Sequence, residues 1–190
     1  MAADTELSDA SRSKGAPYLK RTIALVGLMG AGKSTVGRRL AEAMGREFCD
    51  SDDEIEKAAG LSIADIFTLH GEAEFRRGEK RVLARLLDDE PHILATGGGA
   101  YLDPETRTLL RERAITVWLN ADLETLWERV SRRNHRPLLH QPNPRGKLAQ
   151  LLEERTPIYS EADLVVESDD GPHARTVDRI LAAVKRWQPA

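Results

Sequence analysis

The amino-acid sequence predicts a three-layer α/β domain built on a five-stranded parallel sheet. Short apolar runs alternate along the chain with segments of helical spacing, as in strand–helix–strand units. The apolar runs lack a regular apolar–polar alternation, which indicates strands that are covered on both faces. A glycine-rich loop joins the first run to the first helix. In such sheets ligands bind beyond the carboxyl ends of the strands, so functional residues are expected there.

Length and composition set further limits. The 190 residues allow one domain with a substantial core, and 41% hydrophobic with 31% charged residues indicates a soluble globular protein. The net charge of −3 gives no reason to expect nucleic-acid binding. No apolar run approaches the roughly 20 residues that span a bilayer, so no membrane association is expected. A single cysteine, Cys49, fits a reducing compartment and favours a cytoplasmic location.

The N-terminal residues 1–20 are mostly small and polar, and they predict a disordered tail before a domain over residues 21–190. The segment lacks the apolar stretch of a secretory signal. Its acids Asp4, Glu6 and Asp9 argue against an organellar transit peptide.

The first strand and the loop after it carry the strongest motif. Residues 23–26 form an apolar run, and residues 27–34 read GLMGAGKS, which fits the phosphate-binding pattern G-x-x-x-x-G-K-[ST]. Val36, Leu40 and Met44 then recur at helical spacing. Strand, glycine loop and helix together form the context that this motif requires, because loop N–H groups and the helix N-terminus both attract a phosphate.

This motif predicts binding of a nucleoside triphosphate. We expect Lys33 to reach the β- and γ-phosphates and the Ser34 hydroxyl to bind Mg²⁺. An ordinary glycine-rich turn is the alternative, but it does not demand so many fixed positions.

The next segments continue the alternation. Residues 47–50 predict a second strand, and residues 52–59 predict a helix that ends at Gly60. Ser62 is a natural N-cap for the following turn, and a long helix is expected from Gly71 to about Asp88.

The second half of the chain contains three more strand candidates. A third strand over residues 92–96 runs directly into Gly97, Gly98 and Gly99. The remaining elements are predicted as follows: a helix that starts at Pro104, a strand over 115–119, a helix capped by Asp122, a loop over 132–146, a helix near Leu148 that breaks before Pro157, a strand over 164–166 and a helix over about 174–187.

Two acids follow the second strand. If the chain is extended there, Asp50 and Asp52 point toward the same site, because residues two apart in a strand share a face. The third strand ends without an acid, so Asp50 is the best candidate to hold the Mg²⁺ water shell. Asp52 is then expected to orient an attacking hydroxyl or to accept its proton. The alternative is that Asp52 is only a favourable charge at a helix start.

Two arginines and three glycines complete the candidate site. Arg155 continues an apolar helical stripe with Leu148, Leu151 and Leu152, so it points inward and requires an anion or hydrogen-bond acceptors. Arg76 also flanks the apolar side of its helix. The pair suits a substrate carboxylate, but structural ion pairs with Glu72 or Glu154 explain the positions equally well. The triple glycine offers a backbone that a ligand can approach closely.

A basic segment over residues 129–139 has three interpretations: a solvated charge run, an RNA-binding patch or a lid over the phosphates. It lacks interleaved aromatic residues, which weakens the RNA interpretation. A lid would exclude water, and Arg136 or Arg129 would neutralise the transferring phosphate.

Taken together, the motifs resemble those of the shikimate kinase family. The match runs in order from about Thr22 to Val166, and it comprises residues 27–41, Asp50 to Glu56, Gly60 to Phe67, Gly71 to Arg76, Thr96 to Ala100, Arg136 to Leu139 and Arg155 to Tyr159.

The resemblance implies a nucleoside-monophosphate-kinase-like fold with a substrate-binding region and a lid over about residues 129–146. It implies transfer of the ATP γ-phosphate to the 3-hydroxyl of shikimate, in the pathway to chorismate and the aromatic amino acids. We expect a monomer that requires Mg²⁺ and has shikimate and ATP as its ligands.

The resemblance also implies residue roles. Lys33, Asp52 and Arg136 would be catalytic, and Mg²⁺ would sit on Ser34 and, through water, on Asp50. ATP would be bound by Gly30, Ala31, Gly32, Lys33, Ser34, Thr35, Arg129 beside the adenine and Arg136 from the lid. Shikimate would be bound by Asp52, Arg76, Gly98, Gly99 and Arg155, with the two arginines on its carboxylate.

Two alternatives differ in function. A related kinase, such as one acting on gluconate, would share the loop and the fold. A nucleotide-dependent switch or a silent binding module is the second alternative, but the chain has no Asn-Lys-x-Asp guanine-recognition motif, and it keeps both Lys33 and Asp52.

Overall fold

Five parallel strands form the sheet on which the other elements pack. The computed structural model describes residues 17–132 and 142–188, and the strands are β1 (Thr22–Val26), β2 (Phe48–Asp50), β3 (Ile93–Ala95), β4 (Ala114–Asn120) and β5 (Leu164–Glu167). Their order in the sheet is β2-β3-β1-β4-β5, and each neighbouring pair is parallel. The predicted five-stranded parallel sheet is therefore confirmed, and β1 lies at its centre.

Helices connect the strands. They are α1 (Lys33–Met44), α2 (Ser51–Ala59), α3 (Ile63–Asp88), α4 (Pro104–Arg113), α5 (Leu123–Ser131), α6 (Pro144–Tyr159) and α7 (His173–Arg186), with short 3-10 helices at Pro17–Lys20 and Ala100–Leu102. Among the described residues, no helix has the length and apolar character needed to cross a membrane.

The core lies on both sides of the central strands. Every residue of β1 is buried, and so are six of the seven residues of β4. Since successive side chains of a strand point to opposite faces, burial of consecutive residues means that both faces are covered. Helices α1 and α7 pack against each other and against the sheet, and α4 packs on β4 and on α3. This is the predicted three-layer arrangement.

Helix α3 contains a break that the sequence indicated. Ser62 caps its start by accepting a hydrogen bond from the backbone N–H of Asp65, as predicted. At Gly71 the backbone leaves the helical region, with φ 77° and ψ 172°. Other residues strongly disfavour that conformation, so Gly71 separates a short first segment from the longer segment that carries Arg76.

Two predictions about α6 were wrong. Residues 144–146 were expected in a loop, but the helix starts at Pro144, where Asn143 caps it by accepting the Gly146 N–H at 3.0 Å. Proline is favoured at a first helical position. The helix was also expected to break before Pro157, yet it continues to Tyr159. Pro157 is near the helix end, and the carbonyl it leaves without an N–H belongs to exposed Glu153, where water can bind it.

Two predicted segments fall largely outside the described residues. These are most of the N-terminal tail, residues 1–16, and the centre of the lid, residues 133–141, which includes Arg136.

Candidate active site

The carboxyl ends of β1, β2 and β3 open into one cavity of about 670 Å³. Parallel strands place the loops that follow them at the same sheet edge, which is why distant parts of the sequence meet here. The cavity is lined by most of the predicted site residues: Gly30, Gly32, Lys33, Ser34, Thr35, Asp50, Asp52, Arg76, Gly98, Gly99, Arg129 and Arg155.

The loop between β1 and α1 leads directly into the first helical turn at Gly32, as the motif predicts. Lys33 is the first residue of α1, and its Nζ donates hydrogen bonds to the carbonyls of Gly27 at 2.7 Å and Leu28 at 3.1 Å. The ammonium group therefore lies across the loop whose N–H groups are suited to phosphates. A triphosphate in the cavity would meet both the helix N-terminus and the positive charge of Lys33.

Ser34 and Asp50 form an oxygen-rich corner beside this loop. The Ser34 hydroxyl donates to Asp50 Oδ2 at 2.6 Å, and Asp50 Oδ1 accepts the N–H of Asp52 at 3.1 Å. Hydroxyl, carboxylate and water oxygens are the ligands that Mg²⁺ prefers. In the described parts of the chain no group of three or more His, Cys, Asp or Glu side chains could hold a metal ion. The corner thus fits a Mg²⁺ ion that takes its other ligands from water and phosphate.

The geometry around Asp52 differs from the extended chain assumed for Asp50 and Asp52. Asp50 ends β2 and acts as the N-cap of α2, so Asp52 lies in the first turn of a helix. The Asp50 side chain caps this helix, so the strand ends at Asp50. Asp52 therefore does not lie on a strand face with Asp50, as the alternation of side chains along a strand would have required. Both carboxylates nevertheless line the same cavity.

Asp52 has the electrostatics of a functional acid. Burial and, after it, the negative charge of Asp50 together raise the pKa of its carboxyl from 3.8 to about 6, while Lys33 opposes the shift. A carboxylate that serves only to start a helix is stabilised by the helix dipole and by water. Asp52 is instead directed into the cavity, where its Oδ1 lies 2.6 Å from the position that a Cβ would occupy at Gly97. We therefore favour the functional interpretation.

Arg76 combines the two interpretations that the sequence left open. Its Nη1 pairs with Glu79 Oε2 at 2.7 Å and its Nη2 lies 3.5 Å from Glu72 Oε1, yet the same guanidinium lines the cavity. The Glu79 side chain is 1% exposed, and burial raises the pKa of its carboxyl while Arg76 opposes that shift. Glu79 was not predicted as the partner, because its place three residues after Arg76 on α3 permits an ion pair but does not require one.

Arg155 differs from Arg76. Its Nη1 donates to the carbonyl of Gly98 at 3.4 Å, whereas Glu154, the acid suggested as its partner, bonds to Gln150. Across residues 17–132 and 142–188, no carboxylate forms a salt bridge with Arg155. A half-buried guanidinium in a cavity wall, held by a carbonyl, is well suited to bind an anionic ligand.

The triple glycine allows charged side chains to press against the backbone. A Cβ at Gly99 would lie 2.5 Å from Arg76 Nη2, a distance at which the arginine would have to move. Because these glycines have no side chains, Arg76 and Asp52 can lie close to the backbone of the loop. The same lack of side chains permits a ligand to approach that backbone closely.

Arg129 and His173 lie beside Gly32 of the phosphate loop. Arg129 donates to Ser168 Oγ at 3.1 Å and to the carbonyl of Asp169, and burial lowers the pKa of its guanidinium. His173 was not predicted. It begins α7 and lines the cavity, and its buried Nδ1 has no hydrogen-bond partner in the described part of the molecule. Burial, followed by the charge of Arg129, lowers the pKa of His173.

Apolar side chains also line the cavity, and they were not predicted as site residues. Ile63, Phe67 and Phe75 line it, and the two phenylalanine rings lie 4.5 Å apart between centroids. A sequence pattern cannot separate such residues from ordinary core residues, because both have helical apolar spacing.

Comparisons with known sequences agree with this geometry. Residues 29–185 match the family model described as shikimate kinase. The curated shikimate kinase of Caulobacter vibrioides strain NA1000 is 54% identical over 171 residues, which are 90% of this chain and 86% of that protein.

Solved structures give the same result. The shikimate kinase from Acinetobacter baumannii in complex with shikimate is 43% identical, with a TM-score of 0.82 and coverage of 88% of this chain and 94% of that one. A gluconokinase from Sinorhizobium meliloti has a TM-score of 0.60 at 23% identity, covering 88% of this chain and 93% of that one, so its likeness concerns the fold alone.

Proposed function

The chain belongs to the shikimate kinase family, and we propose the residues with which it transfers the γ-phosphate of ATP to the 3-hydroxyl of shikimate. The products are shikimate 3-phosphate and ADP. The observation that carries the residue assignments is the shared cavity, which is lined both by residues of the phosphate loop and by Asp52, Arg76 and Arg155.

Shikimate is proposed to bind at the wall formed by α3, α6 and the glycine loop. Arg155, with no carboxylate partner in the described residues, holds the substrate carboxylate, and Arg76 assists from its ion pair with Glu79. The N–H groups of Gly98 and Gly99 and the carboxylate of Asp52 bind the ring hydroxyls. This arrangement turns the 3-hydroxyl toward the phosphate loop.

ATP is proposed to occupy the other wall. The loop and first turn from Gly30 to Thr35 bind its phosphates, Lys33 neutralises the β- and γ-phosphates, and Arg129 lies beside the base. Arg136 of the lid is proposed to contact the transferring phosphate. Mg²⁺ is proposed to bind Ser34 directly and Asp50 through water, and its role would be to neutralise the charge that develops on the phosphates.

The chemical step then needs little covalent help from the protein. Asp52 accepts a hydrogen bond from the 3-hydroxyl and orients it toward the γ-phosphorus. As the new oxygen–phosphorus bond forms and the bond to the β-phosphate oxygen breaks, Asp52 takes the hydroxyl proton. Because the transition state of phosphoryl transfer is loose, positioning contributes more than proton removal.

Acid pH should reduce activity through Asp52. Its pKa of about 6 means that the accepting carboxylate is protonated at lower pH, so kcat/KM for shikimate should fall about tenfold per unit below pH 6. Initial rates from pH 5 to 8 in a constant-ionic-strength buffer measure this. The residual activity of Asp52→Asn should lack this acid limb. A wild-type profile that stays flat down to pH 5 would contradict the role of Asp52.

Arg155→Lys tests the carboxylate assignment. A point charge replaces a planar fork, so KM for shikimate should rise about 10- to 100-fold while KM for ATP changes little. Arg111→Lys is the matched control, because Arg111 is exposed on α4 and pairs with Glu161 away from the cavity. Equal effects of Arg155→Lys on both substrates would refute the assignment.

A monomer in the cytoplasm is also proposed. The cavity is assembled from one chain, so no second copy is required to complete the site. The single cysteine, Cys49, is free, as expected in a reducing compartment. Light scattering after size-exclusion chromatography should give a mass near 21.1 kDa.

A further inference from the structure

Tyr159 is the last residue of α6, and its side chain is 1% exposed. Its hydroxyl donates a hydrogen bond to the carbonyl of Gly98, in the glycine loop after β3. Arg155, one turn earlier in α6, donates to the same carbonyl at 3.4 Å. Helix α6 therefore places two hydrogen-bond donors on one backbone oxygen of the glycine loop.

The ring that carries this hydroxyl packs near two other aromatic rings. Its centroid lies 6.4 Å from that of Tyr101 and 6.1 Å from that of Trp118, with interplanar angles of 20° and 26°. Tyr101 belongs to the 3-10 helix that follows Gly99 directly, and Trp118 Cδ1 lies 3.2 Å from the Cβ position of Gly27, where the phosphate loop begins. The Tyr159 hydroxyl thus has a defined position relative to both walls of the cavity.

The orientation of one peptide group follows from this hydrogen bond. The chain contains no cis peptide bond in its described residues, and in a trans peptide the carbonyl of Gly98 and the N–H of Gly99 point in opposite directions. With the carbonyl directed to α6, the Gly99 N–H is directed away from it. The guanidinium of Arg76 lies against Gly99, so this peptide also borders the proposed carboxylate site.

We infer that Tyr159 is a positioning residue for shikimate, which holds the Gly98 carbonyl toward α6 and so sets the loop N–H groups and the Arg155 guanidinium for the substrate. The inference rests on the proposed function, because it requires that this loop and Arg155 bind shikimate. When a substrate carboxylate draws the donors of Arg155, Tyr159 remains on the carbonyl and keeps it paired. Arg155 can therefore turn from the Gly98 carbonyl to the substrate carboxylate without leaving that carbonyl unpaired.

The test compares Tyr159→Phe with Tyr101→Phe. Both substitutions remove a hydroxyl from a fully buried tyrosine of the same aromatic cluster. The Tyr101 hydroxyl, however, lies near Thr116 and not against the carbonyl of Gly98 in the glycine loop. Tyr159→Phe should raise KM for shikimate about five- to tenfold, with kcat and KM for ATP within about twofold of wild type. Tyr101→Phe should leave all three constants within about twofold.

The result is readable even for a less stable variant, because the increase in Tm caused by saturating shikimate is measured against each variant's own ligand-free Tm. This increase should shrink for Tyr159→Phe and persist for Tyr101→Phe. If Tyr159→Phe lowers Tm but changes neither KM nor the shikimate-induced increase, Tyr159 is a packing residue and the inference is wrong.

A double-mutant cycle with Arg155→Lys separates this inference from the proposed function. If Arg155→Lys raises KM for shikimate and Tyr159→Phe does not, only the inference fails; if Arg155→Lys has no effect, the proposed substrate site fails. Since both residues act on one carbonyl, Tyr159→Phe should cost less in the Arg155→Lys background than alone. Additive effects would contradict the shared role.

Discussion

Replacing Asp52 with asparagine is expected to lower kcat by about 100-fold or more. The amide keeps the size of the side chain but removes the negative charge that orients the 3-hydroxyl and receives its proton. Nucleotide affinity should stay near the wild-type value, because Asp52 belongs to the proposed substrate wall rather than to the phosphate-binding residues. Steady-state kinetics together with calorimetric titration of ADP measure the two effects separately.

The same substitution should stabilise the fold. The pKa of the Asp52 carboxyl is about 6 in the folded protein, against an ordinary value of 3.8. The protonated carboxyl therefore favours the folded state, and its contribution to the free energy of unfolding is lost as pH rises through 6. At pH 8, Asp52→Asn should therefore raise Tm by a few degrees while it abolishes most turnover. Asp53→Asn is the matched control, because Asp53 is exposed in the same helical turn and should change neither property. Near-normal turnover of Asp52→Asn would end any essential role for this carboxylate.

Replacing Lys33 with methionine is expected to lower kcat/KM for ATP about 1,000-fold. The ammonium lies over the phosphate loop, and it is the charge that would meet the β- and γ-phosphates as negative charge builds up between them. Methionine keeps the length of the side chain, so α1 should still form. Initial rates over a range of ATP concentrations at saturating shikimate give the constant.

Lys57→Met provides the control for Lys33→Met. Lys57 lies on the exposed face of α2 and pairs with Glu54 at 2.6 Å, so its loss removes an equal charge outside the cavity. Only the Lys33 variant should lose activity. A reduction of less than about tenfold in Lys33→Met would show that the phosphate-binding wall has been assigned wrongly.

Most of the fold could be predicted because its signals are local. The strands are apolar runs, and residues such as Ser62 and Asp122 cap helices through bonds within one turn. The failures concern Pro144 and Pro157 in α6. A proline is compatible with either a loop or a helix near its ends, and the choice depends on whether the carbonyl four residues earlier can dispense with its N–H partner, as it can at exposed Glu153.

The site could be predicted in part for the same reason. A parallel sheet brings loops after different strands together, so the sequence alone predicts that Lys33, Asp52 and the glycine loop share one site. The partners of the arginines could not be predicted, because an inward direction does not distinguish a ligand from a buried acid. Only the structure places Glu79 on Arg76 and the Gly98 carbonyl on Arg155.

The most direct test of the central claim is the release of ADP by the full chain with Mg²⁺ and ATP in the presence of different acceptors. Shikimate, gluconate, nucleoside monophosphates and no acceptor are compared at equal concentration. We predict release with shikimate alone, and its loss when Mg²⁺ is chelated. Release with another acceptor would keep the phosphate chemistry but contradict the substrate wall of Asp52, Arg76 and Arg155. No release with any acceptor, in protein that still binds ATP, would contradict the kinase assignment itself.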